Sequence, residues 1–128
     1  MTKYERLVAE YDQEIDIEER RMKNDGLYCD NVIWINEGLT NAEKMSIVAE
    51  EIGHYKTTSG DILNQNNIMN VKKELLARRW AYEKVIPLDA LNMALADNIT
   101  EIYDLAEHFE VTEEFMRECL RHYKLLDI

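Results

Sequence analysis

The sequence predicts an α+β fold: a small antiparallel sheet beside a mainly helical body. β-forming patterns are confined to residues 14–36, where apolar alternation and turn residues follow one another. A helix-start signature at Thr40 then opens helical periodicity that continues to residue 124, broken by one polar loop. With 128 residues, 46% of them hydrophobic, the chain suits one domain, residues 1–128, with a core of its own. It contains no internal repeat or low-complexity tract.

The elements follow in order. Residues 3–11 predict a short amphipathic helix with Tyr4, Leu7, Val8 and Tyr11 on one side. Glu14-Ile15-Asp16-Ile17-Glu18 alternates as a strand does. Asn24-Asp25-Gly26 marks a turn. Leu27-Tyr28-Cys29, Asp30-Asn31 and Val32-Ile33-Trp34-Ile35-Asn36 then predict a hairpin, with β-branched and aromatic residues in its strands. Thr40-Asn41-Ala42-Glu43 is a capping box, and a helix should run from it to about Thr57 with Ile47, Val48 and Ile52 on its buried side. Gly53 costs about 1 kcal/mol relative to Ala inside a helix, so another backbone is expected close by. Residues 59–68 are polar and Asn-rich and predict a loop. A second long helix spans roughly 70–85 and stops before Pro87, and a short one covers 88–96. Two more helices, near 99–108 and 112–124, complete the chain, the last with Thr112 as N-cap and Glu113 and Glu114 in its first turn.

Composition excludes several classes. The net charge is -11, with 26 acidic residues spread along the chain. A general nucleic-acid surface needs clustered Lys and Arg instead. The N-terminal Met1-Thr2-Lys3-Tyr4-Glu5-Arg6 lacks the apolar run of a signal peptide, and no segment approaches a span of about 20 apolar residues. Cys29 and Cys119 form neither a zinc knuckle nor a disulfide framework and fit reduced thiols of a cytosolic protein.

Glu50-Glu51-Ile52-Gly53-His54 carries the chemistry. It is the His-Glu-x-x-His pattern of zinc proteases with Glu50 in the place of the first His. At about 100° per residue, positions 50 and 54 lie about 40° apart on a helix, so their side chains converge. Glu51 falls on the flank, where a general base beside a bound water belongs. Carboxylate oxygens ligate zinc at nearly the distance of His nitrogens, so Glu50 is chemically admissible. The plainer alternative is a solvated face of an acidic surface helix.

A zinc site needs a third protein ligand and an open position. Cys29, on a hairpin strand, and Cys119, on a distant helix, are poor candidates. His108 and His122 are possible but lie in the C-terminal helices among charged neighbours. Glu74, twenty positions after His54, allows one loop and a return of the chain. Ala77 and Ala81 form a narrow strip on its face, which would let that helix press against the first beside Gly53. Glu74 could also be a solvated residue beside Lys72 and Lys73. Arg78 and Arg79 suit surface ion pairs, and Tyr55 suits packing.

From Glu74 the run Glu74-Leu75-Leu76-Ala77-Arg78-Arg79-Trp80-Ala81-Tyr82-Glu83-Lys84-Val85-Ile86-Pro87 resembles the second motif of the ImmA/IrrE metallopeptidases: a Glu, Ala three positions later, an aromatic-Ala pair, and an apolar run ending in Pro. Gly26-Leu27-Tyr28 and Val32-Ile33-Trp34-Ile35 resemble the hairpin before the metal helix of that family. Gly53-His54-Tyr55 with Thr57-Thr58-Ser59-Gly60 resembles short members carried by phages and mobile elements of Gram-positive bacteria, some of which have Glu at the position of Glu50. The resemblance covers nearly the whole chain. It implies a compact gluzincin-like (zincin) core, with Glu51 as base and His54 and Glu74 as ligands, and Glu50 as the departure from the usual His.

Two carboxylate ligands donate two negative charges where a His-His-Glu set donates one. This predicts a weaker Lewis acid, slower hydrolysis, or preference for a harder ion such as manganese over zinc. Without metal, Glu50, Glu51 and Glu74 crowd one site, and at least one should hold a proton more readily than a free Glu. The C-terminal pair, about residues 99–128, resembles a helix-turn-helix, with Ala106 and Val111 where such motifs keep small and apolar residues and Glu110 at the usual Gly turn position. Eight acidic against three basic residues from Thr100 to Ile128 argue against DNA binding and for packing on the rest of the chain or docking a protein.

The expected function is a metal-dependent endopeptidase, with Glu50, His54 and Glu74 holding zinc and Glu51 taking a proton from water. The family resemblance implies a regulatory protein as substrate, such as a helix-turn-helix repressor of a phage or integrative element, in a bacterial cytoplasm. The alternative is a catalytically inactive protein that binds the repressor through the same fold.

Overall fold

Thr2 opens helix α1 (Lys3–Tyr11) through a reciprocal capping box: Glu5 N donates to Thr2 Oγ1 at 3.0 Å, and Thr2 N donates to Glu5 Oε1 at 2.9 Å. Tyr4, Leu7 and Tyr11 recur at helical spacing and are buried. The strands are β1 (Asp16–Arg20), β2 (Gly26–Cys29) and β3 (Val32–Asn36). These coordinates are a computed structural model that describes residues 1–57 and 67–125, with the backbone alone for 67–70.

β2 and β3 form the expected antiparallel hairpin. Asp30 and Asn31 turn it with φ of 49° and 64°, the left-handed pair that a two-residue turn of right-twisted strands demands and that Asp and Asn tolerate. β1 pairs with β3 in parallel, giving the order β1-β3-β2. The sheet is therefore mixed, where the sequence predicted an antiparallel one. Its central place goes to β3, whose Ile33 and Ile35 are fully buried, and the parallel register sets Ile17 beside Ile33. β1 also starts later than the alternation suggested: Ile15 is buried just before it, and Glu14 lies in the preceding turn.

Helix α2 (Asn41–Thr57) begins at the Thr40 capping box, with Thr40 N donating to Glu43 Oε1 at 2.9 Å and Glu43 N to Thr40 Oγ1 at 3.2 Å. Val48, Ala49 and Ile52 are fully buried, while Ile47 is only partly so. Helix α3 (Asn67–Val85) starts earlier than expected, taking in residues 67 and 68 of the anticipated loop, whose residues 59–66 lie outside the described residues. Pro87 caps α4 (Leu88–Ala96). The next helix, α5 (Ile102–Phe109), begins after the left-handed Asn98 rather than at residue 99, and α6 (Glu113–His122) follows. Thr112 caps α6, accepting from Phe115 N at 3.1 Å. Glu110 has φ 57° and ψ 43°, the left-handed turn conformation that Gly usually supplies. α6 packs on the body of the protein: Thr112 N donates to Ser46 Oγ at 3.2 Å on α2, and Tyr82 Oη on α3 donates to Glu118 at 2.8 Å.

α2 and α3 run antiparallel, in closer contact than any other pair of helices among the described residues. Gly53 is the reason. A Cβ there would overlap the Ala77 carbonyl oxygen and lie 3.0 Å from the carbonyl carbon. Ala77 and Ala81 are fully buried along the same seam. The obstacle is backbone, which has no rotamer by which to yield. Gly53→Ala should therefore destabilise the fold by about 3 kcal/mol, reversing the gain of about 1 kcal/mol that helix propensity alone would give; urea denaturation of the two proteins checks the sign.

Candidate metal centre

Glu50, Glu51 and His54 come from α2, and Glu74 and Arg78 from α3. Glu74 stands one turn before Ala77, so the close approach at Gly53 sets it opposite His54. His54 Nε2 and Glu74 Oε2 lie 2.7 Å apart. One turn further along the seam, Arg78 Nε lies 3.3 Å from Glu50 Oε1. Glu50, His54 and Glu74 each offer one donor atom, all within 4.8 Å of one another, and all three are partly buried. Ligands of a tetrahedral zinc ion at about 2.0–2.2 Å sit roughly 3.3–3.6 Å apart. Small side-chain rotations therefore fit the trio to an ion. One imidazole and two carboxylates form a donor set that zinc and manganese both accept, and three donors leave a position open.

Glu51 sits beside the trio, toward the sheet. A Cβ on Gly26, at the start of β2, would meet Ile47 Cγ2 at 2.5 Å and Glu51 Cγ at 3.6 Å, so the strand closes over this part of α2. Burial pushes the Glu51 carboxyl up to about 7, with Glu50 and Glu74 adding to the effect. A carboxylate poised there exchanges protons near neutral pH. Burial also raises Glu50, opposed by its hydrogen bond from Arg78 and assisted by Glu74. The crowding expected from the sequence thus acts in the expected direction, but desolvation is the larger cause at both residues.

The other candidates lie elsewhere. Cys29 is exposed on β2, and Cys119 is buried in α6 with its thiol pushed up to about 12 by desolvation. His122 Nε2 lies 3.7 Å from Glu83, and His108 meets the ring of Phe109 edge-on. Tyr55 packs edge-on against Tyr28 at 6.3 Å between ring centres. Two features were not legible beforehand. Arg78 pairs with a member of the trio rather than with a surface acid elsewhere. A cavity of about 240 Å³ opens next to Glu50 and Arg78, walled by Asp25 and Ile47 on one side and by Phe115 and Glu118 of α6 on the other. The only advance signal for Arg78 was its place one turn after Glu74.

A protein-family model described as the IrrE N-terminal-like domain, a peptidase family, matches residues 6–121. The chain belongs to this peptidase family. The match runs from α1 into α6 and takes in the seam, the trio and both C-terminal helices. No curated protein and no solved structure gives a match.

Membership implies a protein or peptide substrate. No helix among the described residues is long and apolar enough to cross a membrane. The end of α6 that would enter a DNA groove carries Glu113 and Glu114 and rests through Thr112 on Ser46 of α2.

The electrostatics of Glu51 give a test in chelator, with no metal present. A free Glu ionises near 4.3 and folded Glu51 near 7. Between those values the unfolded chain has lost a proton that the folded chain keeps, so this residue lowers stability as pH rises through the window. Glu51→Gln removes that penalty. It should be more stable than the parent by about 1–3 kcal/mol at pH 8 and near parity at pH 4, as read from urea midpoints across the range.

Proposed function

We propose that this protein is a metal-dependent endopeptidase in which Glu50, His54 and Glu74 hold a zinc ion, or manganese in its place, and Glu51 is the general base. The observation that carries this reading is the convergence of one imidazole and two carboxylates from two helices, beside a carboxyl whose proton affinity is raised toward neutrality, in a chain of a peptidase family. When bound, the ion would polarise the scissile carbonyl and acidify a water molecule. Glu51 would take a proton from the water whose oxygen bonds to the carbonyl carbon and would pass it to the amide nitrogen as the C–N bond breaks. Burial raises the proton affinity of Glu51 before any ion is bound, and a cation beside it would draw that affinity down again. All three members of the trio are only partly buried, and the cavity beside Glu50 gives a flanking side chain of a peptide a place to sit.

The substrate we infer is a regulatory protein of a phage or integrative element, a helix-turn-helix repressor, cleaved in the bacterial cytoplasm. Resemblance to short phage-type members of the family supports this choice. The second reading is a repressor-binding protein without catalysis. It is favoured by one specific feature, Glu50 in the usual place of a His ligand.

Metal content and Glu51→Gln separate the two. The protein purified without chelator should carry about one zinc or manganese per chain by mass spectrometry, and Glu74→Ala should carry none. Glu51→Gln should keep the metal and lose about 10²–10⁴-fold in cleavage of the co-produced repressor. Full repressor inactivation by Glu51→Gln would sink the peptidase reading. No bound metal, with no thermal shift on adding zinc or manganese, would leave the binding protein.

A further inference from the structure

We infer that Arg78 is a positioning residue that compensates the charge of Glu50 and so makes a two-carboxylate ligand set serviceable for a divalent ion. The inference rests on the metal site proposed above and concerns how this chain sustains it with Glu50 in the usual place of a His.

The geometry is specific. Glu74 and Arg78 are one turn apart on α3, as His54 and Glu50 are on α2, and the helices are antiparallel. The seam therefore has two polar rungs, His54–Glu74 at 2.7 Å and Glu50–Arg78 at 3.3 Å, with the Gly53–Ala77 contact between them. The helix that supplies the third donor thus also supplies a cation to the unusual one. Lys56–Glu14, Lys84–Glu10 and Arg20–Glu18 also pair, but on residues outside the trio. A carboxylate has two oxygens, so one can accept from Arg78 while the other stays available to an ion.

Charge balance gives the chemical reason. A divalent ion held by two His and one Glu keeps one positive charge, which an adjacent ionised base cancels. Replacing a His by Glu removes that positive charge and leaves the site negative once the base ionises. Arg78 restores the balance. A guanidinium is always charged and is weakly hydrated, so it can remain beside the half-buried Glu50 where an ammonium would more readily leave for water. By engaging one oxygen it also fixes the carboxylate's orientation, the task that outer-shell partners perform for metal ligands in general.

The test is a double-mutant cycle read as zinc affinity, by competition with a chromogenic chelator, for wild type, Arg78→Gln, Glu50→His and the double variant. Arg78→Gln should weaken zinc by about 10–100-fold, the usual cost of losing an outer-shell partner. Arg78→Lys should recover part of the loss, because it keeps the charge without the planar fork. With Glu50→His the sign should change: Arg78 then faces a neutral ligand and repels the ion, so its removal leaves affinity unchanged or improves it. Arg78 is substantially exposed, so these changes leave the core intact. A zinc site present in wild type and lost in Glu74→Ala, with Arg78→Gln costing nothing or costing the same in both backgrounds, would overturn the role of Arg78 alone. Absence of zinc binding by wild type, or undiminished binding by Glu74→Ala, would overturn the site and this role together.

Discussion

The contact of Gly53 with the backbone of Ala77 is the constraint on which the rest of the structure depends. Two helices can meet this closely only where one of them has no Cβ and the other presents alanine. Gly53 sits between Glu50 and His54 in sequence, and Ala77 between Glu74 and Arg78. Closure at that point therefore lays two polar pairs against each other at hydrogen-bonding distance. A bulkier residue at either position would hold Glu74 and His54 apart. The local cost of glycine inside a helix is offset by burial along the seam, where Ala49, Ile52, Ala77 and Ala81 are all fully covered.

Around that seam, β2 and α6 shape electrostatics and access. The start of β2 packs beside Ile47 and Glu51, in the region where burial lifts the Glu51 carboxyl. α6 forms the far wall of the cavity beside Glu50, through Phe115 and Glu118. It is held there by Thr112 on Ser46 and by Tyr82 on Glu118. The second helix of the C-terminal pair, whose sequence suggested a helix-turn-helix, thus walls the cavity. Its acidic first turn is consistent with that role and poorly matched to a phosphate backbone.

Legibility in the sequence followed the range of the interaction. The Thr40 capping box, the Thr112 cap and the helix stop at Pro87 are local, and each was readable from a few neighbouring residues. Glu50, Glu51 and His54 were readable because helical periodicity alone sets their directions. Glu74 needed one further inference, that Gly53 and the alanine strip would meet, and the structure brings those residues together. The parallel pairing of β1 with β3 was not readable, because alternation in Glu14–Glu18 gives the buried face of a strand and not its neighbour. The partner of Arg78 was hidden for a related reason. Charge on a helix face is visible in the sequence, but which opposing residue it meets depends on the register of two helices distant along the chain.

That register has a consequence for how the helices find each other. In the observed alignment, His54 meets Glu74 and Glu50 meets Arg78. Slide α3 by one turn in one direction and Glu74 faces Glu50, carboxylate against carboxylate. Slide it the other way and Arg78 faces His54. Either misalignment breaks both the His54–Glu74 and the Glu50–Arg78 pairs, and the first also sets two carboxylates together in a half-buried cleft. The residues of the two polar pairs thus also discriminate against the neighbouring ways of docking the two helices, so the order of charges along the seam helps select the folded state.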